Sequence, residues 1–223
     1  MSDARAHGCP VMKHVDHDSL YTNLEARMDY LLSFIEFGKE DIKGLKDVAP
    51  ILGPLIPTIL DAVYTKLFRY DVTKVLLLPR KMGYQQDELE SGLDSFGHDS
   101  EQTKIRKEFL KGWLVKLLTG DYNSMSQWDY MDKVGIMHTG KAGFKHREKK
   151  APLHVEYIHM AGLLGWLETM FTTTLLRIPD AKVSPKDKLR MITALNKIFW
   201  IQNDLFARHY IGQSDLFARH YMM

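Results

Sequence analysis

The stretch from residue 121 to residue 143 reads DYNSMSQWDYMDKVGIMHTGKAG. Asn123 or Ser124 is a good N-cap, and we expect a helix from there to about Thr139 because apolar residues recur at helical spacing. The apolar positions include Trp128, Met131, Val134 and Met137. His138 follows Val134 by four residues and Met131 by seven, so it falls on the same side of the helix. The pattern predicts an inward-facing histidine in the last turn.

His138 has two interpretations at this level. A histidine at the end of a helix can be a core residue whose ring is satisfied by a backbone carbonyl. A neutral imidazole in the same place can instead ligate iron through its outer nitrogen. The helix pattern alone leaves both interpretations open.

Glycine and proline divide the rest of the chain into further stretches with helical periodicity. We expect further helices over 19–37, 39–52, 100–119, 153–178 and from 184 to at least 210. Gly38 ends the first of these, and Gly120 ends the helix over 100–119. Another helix, after residue 52, is opened by Pro54 and Pro57. We also expect a short helix over 87–93 and a polar loop over 140–152. About seven helices and almost no alternating pattern predict an all-α fold.

The composition argues against several function classes. The 223 residues carry 30 basic and 28 acidic side chains, a formal net charge of +2, which gives no reason to expect a nucleic acid or an anionic membrane as partner. One cysteine, Cys9, cannot form a disulfide within the chain and suits a reducing compartment. The start lacks the apolar run of a signal peptide, and no stretch approaches the roughly 20 apolar residues that span a bilayer. We therefore expect a cytoplasmic protein.

Two further residues have both a structural and a functional interpretation. Tyr64 shares an apolar face with Leu60, Leu67 and Phe68, and its hydroxyl, if buried, needs either a backbone carbonyl or a polar ligand as partner. Gly112 interrupts the helix over 100–119, where glycine costs roughly 1 kcal/mol relative to alanine. It permits either tight helix packing or the approach of a flat group.

Taken in order, four segments resemble the protoglobins and the sensor domains of globin-coupled sensors. They are LLSFIEFGKEDIKGLKDVAPIL (31–52), LDAVYTKLF (60–68), IRKEFLKGWL (105–114) and the opening stretch 121–143, where Val134 and Gly135 precede His138. The resemblance covers about residues 20–210. It implies a globin-like fold with an extra N-terminal helix before the usual globin set.

The resemblance also implies a cofactor, haem b, and a role for each matching residue. His138 would be the proximal iron ligand, and Tyr64 the distal hydrogen-bond donor. Phe109 would form an apolar distal wall, with Ile105 where other globins carry a distal histidine. The remaining residues expected to contact the haem are Gly112, Val134, Met137 and Gly162. A small residue at Gly162 would leave the cavity more open.

Two histidines at the start of the helix over 153–178, His154 and His159, are weaker candidates. Either one could line a haem edge or meet the haem propionates. The other histidines lack the sequence context of His138.

The resemblance implies one main function and leaves two alternatives. First is reversible binding of dioxygen, CO and NO by a gas carrier or sensor. The alternatives are a haem enzyme, either an NO dioxygenase or a peroxidase-like protein, and a haem-free interaction module. In this family the last two long helices pair across a homodimer. Large apolar groups on those helices suit either that interface or the core: Trp166, Phe171, Phe199 and Trp200.

The C-terminus repeats the string DLFARHY at 204–210 and at 215–221. A spacing of eleven residues is close to three helical turns, so both copies would present the same face. Duplication of the end of the last helix and a sequence artefact are both consistent with this. The twin histidines His209 and His220 resemble a metal pair, but duplication explains them without function. We therefore divide the chain into a flexible tail (1–18), a globin domain (19–211) and an extension (212–223).

Overall fold

A computed structural model of the chain describes residues 12–78, 97–149 and 152–211. Its α-helices are α1 (Ser19–Thr22), α2 (Leu24–Ile35), α3 (Lys39–Leu52), α4 (Ile56–Phe68), α5 (Asp71–Lys74), α6 (Glu101–Thr119), α7 (Met125–Met137), α8 (Tyr157–Leu176) and α9 (Pro185–Ile211). Short 3-10 turns occupy Gly53–Leu55, Val75–Leu77 and Lys145–Arg147. These ranges contain no strand. The all-α prediction is confirmed.

Side-chain caps explain where several of these helices begin. Asn23 accepts hydrogen bonds from the backbone N–H groups of Glu25 and Ala26 at the start of α2. Ser100 caps α6 and Ser124 caps α7 in the same way, each accepting from an N–H of the first turn. Such bonds satisfy donors that have no partner inside the helix. Capping residues of this kind are readable in the sequence, so the starts of α6 and α7 match the prediction.

Three predicted boundaries are wrong. The expected helix over 19–37 is divided at Asn23, because that residue leaves helical geometry to cap α2. Its end is set by Glu36, which has a left-handed φ of 58°, while Gly38 begins α3 instead. The helix expected from 153 begins at Tyr157, because the preceding residues pair with the end of α7 around an isolated bridge between Thr139 and His154.

Helix α9 is the central element of the core. It packs against α3, α7 and α8, and six of its apolar side chains are almost completely buried: Ala194, Leu195, Ile198, Phe199, Ile201 and Leu205. Polar contacts fix its rotation. The buried Gln202 accepts a hydrogen bond from the indole of Trp113 at 3.0 Å and donates one to the Met131 carbonyl at 3.2 Å. One amide thus ties α9 to both α6 and α7.

The expectation that no stretch is long enough to span a membrane needs correction. Within the residues that the structure describes, the helical stretch Lys39–Phe68 is long and apolar enough to cross a membrane, judged by length and composition alone. It does so because α3, a 3-10 turn and α4 follow one another without a break. Core helices pass the same test, and Leu45, Val48 and Leu52 of α3 are buried within the protein.

Three expectations concern residues outside the described ranges: the helix over 87–93, most of the flexible tail, and the extension 212–223 with its second DLFARHY copy. The first copy lies within α9. These expectations, and the division into three segments, stay predictions.

Candidate functional site

A cavity of about 520 Å³ lies between α4, α6, α7 and α8. Its lining is mostly apolar, with Val63 and Leu67 from α4, Leu110 and Trp113 from α6, and Leu164 from α8. The segment after α7 and the 3-10 turn at Val75–Leu77 close its edges. This size and lining are typical of a site for a small organic ligand or cofactor, which proteins bury in apolar pockets of roughly 300–1,000 Å³.

His138 lies at the C-cap of α7 and lines this cavity. The backbone N–H of His138 bonds to the Gly135 carbonyl at 3.2 Å, so the last turn tightens to a 3-10 pattern. The Val134 carbonyl is therefore left for the imidazole, whose Nδ1 lies 2.7 Å from it. With the proton on Nδ1 donated to this carbonyl, the lone pair is on Nε2. The local backbone thus selects the tautomer that a metal ligand needs.

The environment of His138 keeps the ring neutral. Burial lowers its pKa from 6.5 to about 4 against the opposing effect of the bond to the Val134 carbonyl, and the positive charge of Arg147 acts in the same direction as burial. The edge of the buried Phe206 ring lies against the imidazole, with 5.3 Å between centroids and 78° between planes. At neutral pH the imidazole is unprotonated, as metal ligation requires.

Tyr64 is buried on α4 and also lines the cavity. Its ring centroid is 6.0 Å from that of Phe68. Within the described part of the chain, no residue forms a hydrogen bond with its hydroxyl. Burial raises the pKa of Tyr64 well above its ordinary value, so the hydroxyl keeps its proton. A buried phenol with no hydrogen-bond partner among these residues is available as a donor to a ligand in the cavity.

Helix α6 contributes a second apolar wall through Ile105 and Phe109, which line the cavity and stay partly exposed. The Phe109 ring is parallel to the imidazole of His146, with centroids 6.0 Å apart and 6° between the planes. His146 also stacks on Phe144 at 5.5 Å. The loop after α7 therefore contacts α6 along the cavity.

The geometry agrees with what comparison with known proteins finds. The family profile described as Protoglobin matches residues 24–216. The chain belongs to the protoglobin family. It is also similar in structure to the globin domain of the Geobacter sulfurreducens globin-coupled sensor, at 17% identity and a TM-score of 0.57, over 82% of this chain and 97% of that one. A search of curated proteins finds no match. Family membership supports a globin-type haem-dependent role in gas binding or sensing.

Six of the eight site residues predicted from the protoglobin resemblance lie together. The structure places His138, Tyr64, Phe109, Ile105, Val134 and Met137 on the lining of one cavity. They come from three helices that are far apart in sequence. Helices α2 and α3 precede α4, in the part of the chain where the resemblance implies an extra N-terminal helix, which stays a prediction.

Gly112 and Gly162 do not line the cavity, contrary to prediction. Both are exposed, and a Cβ added at either would meet nothing within 4 Å. Gly112 follows Ile105 by seven residues, so it lies on the exposed edge of the face that also contains Phe109 and Trp113, and only those side chains reach the cavity. Gly162 lies on the outer face of α8, so it does not open the cavity, and neither glycine permits close packing here.

Three cationic or titratable residues at the cavity were not predicted. Arg106, His146 and Arg147 line it, and the Arg106 guanidinium donates to the Leu76 carbonyl at 3.3 Å. The basic string HREKK at 146–150 contained a signal for two of them, but without the fold it resembles a solvated loop. Of the two weaker candidates, His159 lines the cavity, whereas His154 is exposed and does not.

The suggested metal pair His209 and His220 receives no support. His209 pairs with Asp132, with 2.8 Å between Nε2 and the carboxylate, which gives it a structural partner. His220 lies outside the described residues. Within the described ranges, no group of three or more histidine, cysteine or acidic side chains is arranged to hold a metal ion.

Proposed function

We propose that this chain binds haem b in the cavity, with His138 as the axial ligand of the iron, and reversibly binds dioxygen, CO and NO. One observation carries the proposal. The neutral imidazole of His138 lines a large apolar cavity, and its Nδ1–H donates a hydrogen bond to the Val134 carbonyl. That arrangement leaves Nε2 for a metal and fixes the plane of the ring.

The residues of the cavity fit haem in three further respects. The walls are apolar, as the porphyrin ring requires. Arg106 and Arg147 supply positive charge at the cavity for the two carboxylates of haem. The buried Tyr64 hydroxyl adds a polar donor. The donor set therefore matches each chemical part of the cofactor.

When bound, haem supplies an iron atom with an open position for a diatomic gas. The chain's own residues then determine what happens in the cavity. His138 holds the cofactor from α7. Tyr64 donates a hydrogen bond to a polar gas ligand, and Ile105 and Phe109 limit the entry of water. The alternative is a haem enzyme, either an NO dioxygenase or a peroxidase-like protein, which would take its electrons from a separate donor.

The visible spectrum tests the proposal first. Purified protein supplied with haem should give a Soret band in the reduced state that shifts with dioxygen and again with CO. His138→Ala should lose this response. His159→Ala should keep it, because His159 lines the same cavity but its Nε2 lies 3.5 Å from the Glu156 carboxylate. Absence of a Soret band in the wild type would leave a haem-free interaction module. An unchanged His138→Ala spectrum would move the ligand elsewhere.

Tyr64→Phe tests the donor separately. Loss of a hydrogen bond worth roughly 1.5–3 kcal/mol should speed dioxygen release by about tenfold to a hundredfold. CO release should change less, because bound CO is a weaker hydrogen-bond acceptor. Because the hydroxyl has no partner among the described residues, the haem-free protein should lose no folding stability. Stopped-flow kinetics and urea unfolding measure the two effects, and unchanged dioxygen release would show that Tyr64 only packs.

We also propose that the chain forms a homodimer through the outer faces of α8 and α9. Ile158, Gly162, Gly165 and Leu176 share the exposed side of α8, and Trp200 is exposed on α9. Phe171 and Phe199, two other residues expected at such an interface, are buried in the core. Light scattering of the wild type and Trp200→Glu tests this proposal. A dimer that becomes a monomer in the variant supports it, and a wild-type monomer rejects it.

A further inference from the structure

The C-terminal end of α9 contacts the backbone that carries His138. The Tyr210 side chain is partly buried, and its hydroxyl donates to two carbonyl oxygens, those of His138 at 3.0 Å and Val155 at 2.6 Å. One turn earlier on the same helix, Phe206 packs against the imidazole itself. α9 therefore contacts both the side chain and the backbone of the same histidine.

The two carbonyls belong to opposite sides of a short paired segment. The Val155 N–H donates to the His138 carbonyl at 2.9 Å, and the Gly140 N–H donates to the Leu153 carbonyl at 2.8 Å. These bonds flank the bridge between Thr139 and His154. We call this pairing of 138–140 with 153–155 the clamp. It joins the end of α7 to the chain that leads into α8.

Tyr210 joins the two sides of the clamp, because its hydroxyl proton is shared between the His138 and Val155 carbonyls. The end of a helix leaves carbonyl groups without helical partners, and these are normally satisfied by water or side chains. Here the His138 carbonyl is satisfied by the Val155 N–H and the Tyr210 hydroxyl together. Burial also raises the pKa of Tyr210 to about 12, so the phenol remains a donor across the physiological range.

Neighbouring contacts hold Tyr210 in place. Asp132 of α7 accepts a hydrogen bond from Arg208 at 3.1 Å and pairs with His209 at 2.8 Å. The Tyr210 ring packs against Tyr157, with 5.6 Å between centroids. The end of α9 is thus attached to α7 and α8 on both sides of the hydroxyl, and its position does not depend on the clamp alone.

We propose that Tyr210 is a positioning residue for His138, holding the backbone of the histidine so that its imidazole keeps one orientation toward the cavity. This inference rests on the proposed function of His138 as the iron ligand. Tyr210 touches neither cofactor nor gas in this scheme. It acts through the His138 carbonyl, since the orientation of an axial ligand depends on the groups that hold it.

Tyr210→Phe removes the hydroxyl and keeps the ring. Tyr157→Phe is the matched control, because its hydroxyl bonds to Asn203 at 3.1 Å and not to the clamp. Both changes are made in a full chain that carries Tyr221→Phe, so that the second DLFARHY copy cannot supply a hydroxyl. Each protein is loaded with haem, and Tyr221→Phe alone is the reference.

The readouts are the iron–histidine stretching band of the ferrous protein, by resonance Raman, and the rate of haem transfer to an apoglobin acceptor. We expect Tyr210→Phe to shift or broaden the band and to speed haem loss about tenfold. Mutation of a group that holds a metal ligand typically weakens metal binding by about tenfold to a hundredfold, and this effect is at the lower end. Tyr157→Phe should match the reference in both. An unchanged band and an unchanged rate in Tyr210→Phe would overturn the inference.

Hydrogen exchange separates this inference from the proposed function. If the reference protein shows no iron–histidine band, the haem proposal fails by itself. The exchange rates of the Val155 and Gly140 amides in the haem-free chain then still report on the clamp. Faster exchange in Tyr210→Phe than in Tyr157→Phe supports the positioning role. Equal exchange in the two variants rejects it.

Discussion

The two nitrogens of the His138 imidazole have different environments, and this difference explains its suitability as a ligand. Nδ1 is bound to the Val134 carbonyl, while the ring as a whole lines the cavity. The carbonyl contact of the first interpretation is therefore present, and it leaves Nε2 for the iron ligation that we propose. The Tyr64 hydroxyl differs, since no described residue bonds to it.

Burial of His138 predicts that the stability of the haem-free protein depends on pH. Its pKa is about 4 in the folded state against 6.5 in the unfolded state. Between these values the unfolded state binds more protons. The contribution of His138 to the free energy of unfolding is therefore fully present above pH 6.5 and is lost as the pH drops toward 4. The loss should reach at most about 3 kcal/mol.

Urea unfolding of the haem-free protein at several pH values between 4 and 7 measures this loss. His138→Leu should show a shallower dependence over that interval, because it removes the group that protonates on unfolding. The same slope in both proteins would mean that His138 titrates normally in the folded state.

At the scale of helices, the contact of α7 with α9 depends on a missing side chain. A Cβ at Gly135 would lie 2.4 Å from the Leu205 carbonyl oxygen and 3.0 Å from the His209 ring. Real Cβ atoms do not approach a backbone oxygen so closely, and neither helix backbone can shift cheaply. Gly135 therefore sets how near α9 comes to the turn that carries His138.

A matched pair of glycine substitutions tests this packing. Gly135→Ala should destabilise the protein by about 1–3 kcal/mol, because the added methyl group forces α7 and α9 apart. Gly112→Ala should instead stabilise it by up to about 1 kcal/mol, since a Cβ there meets open space at an exposed position of α6. Urea unfolding with circular dichroism measures both. Equal effects of the two substitutions would show that α7 and α9 can separate without cost.

At the scale of the whole molecule, the long helices can be predicted from the sequence because they depend on local periodicity and capping, whereas most of the cavity wall was predicted from the resemblance to protoglobins. Ser100 and Ser124 cap helices where the sequence places them. Gly112 and Gly162 were misplaced because a glycine signals close approach only once the neighbouring element is known. The clamp between 138–140 and 153–155 joins segments across a loop, so no local pattern contains it.

The cavity wall draws on α4, α6, α7, α8 and one residue of α9, so we expect haem binding to stabilise the entire protein and not a subdomain. Free haem at about 100 times its Kd should add about 2.7 kcal/mol to the free energy of unfolding. The Soret band and helical circular dichroism should be lost together in urea, as in a two-state transition. His138→Ala should lose most of this gain. Loss of the Soret band well before helicity would show instead that the cavity opens while the α3–α9 core stays folded.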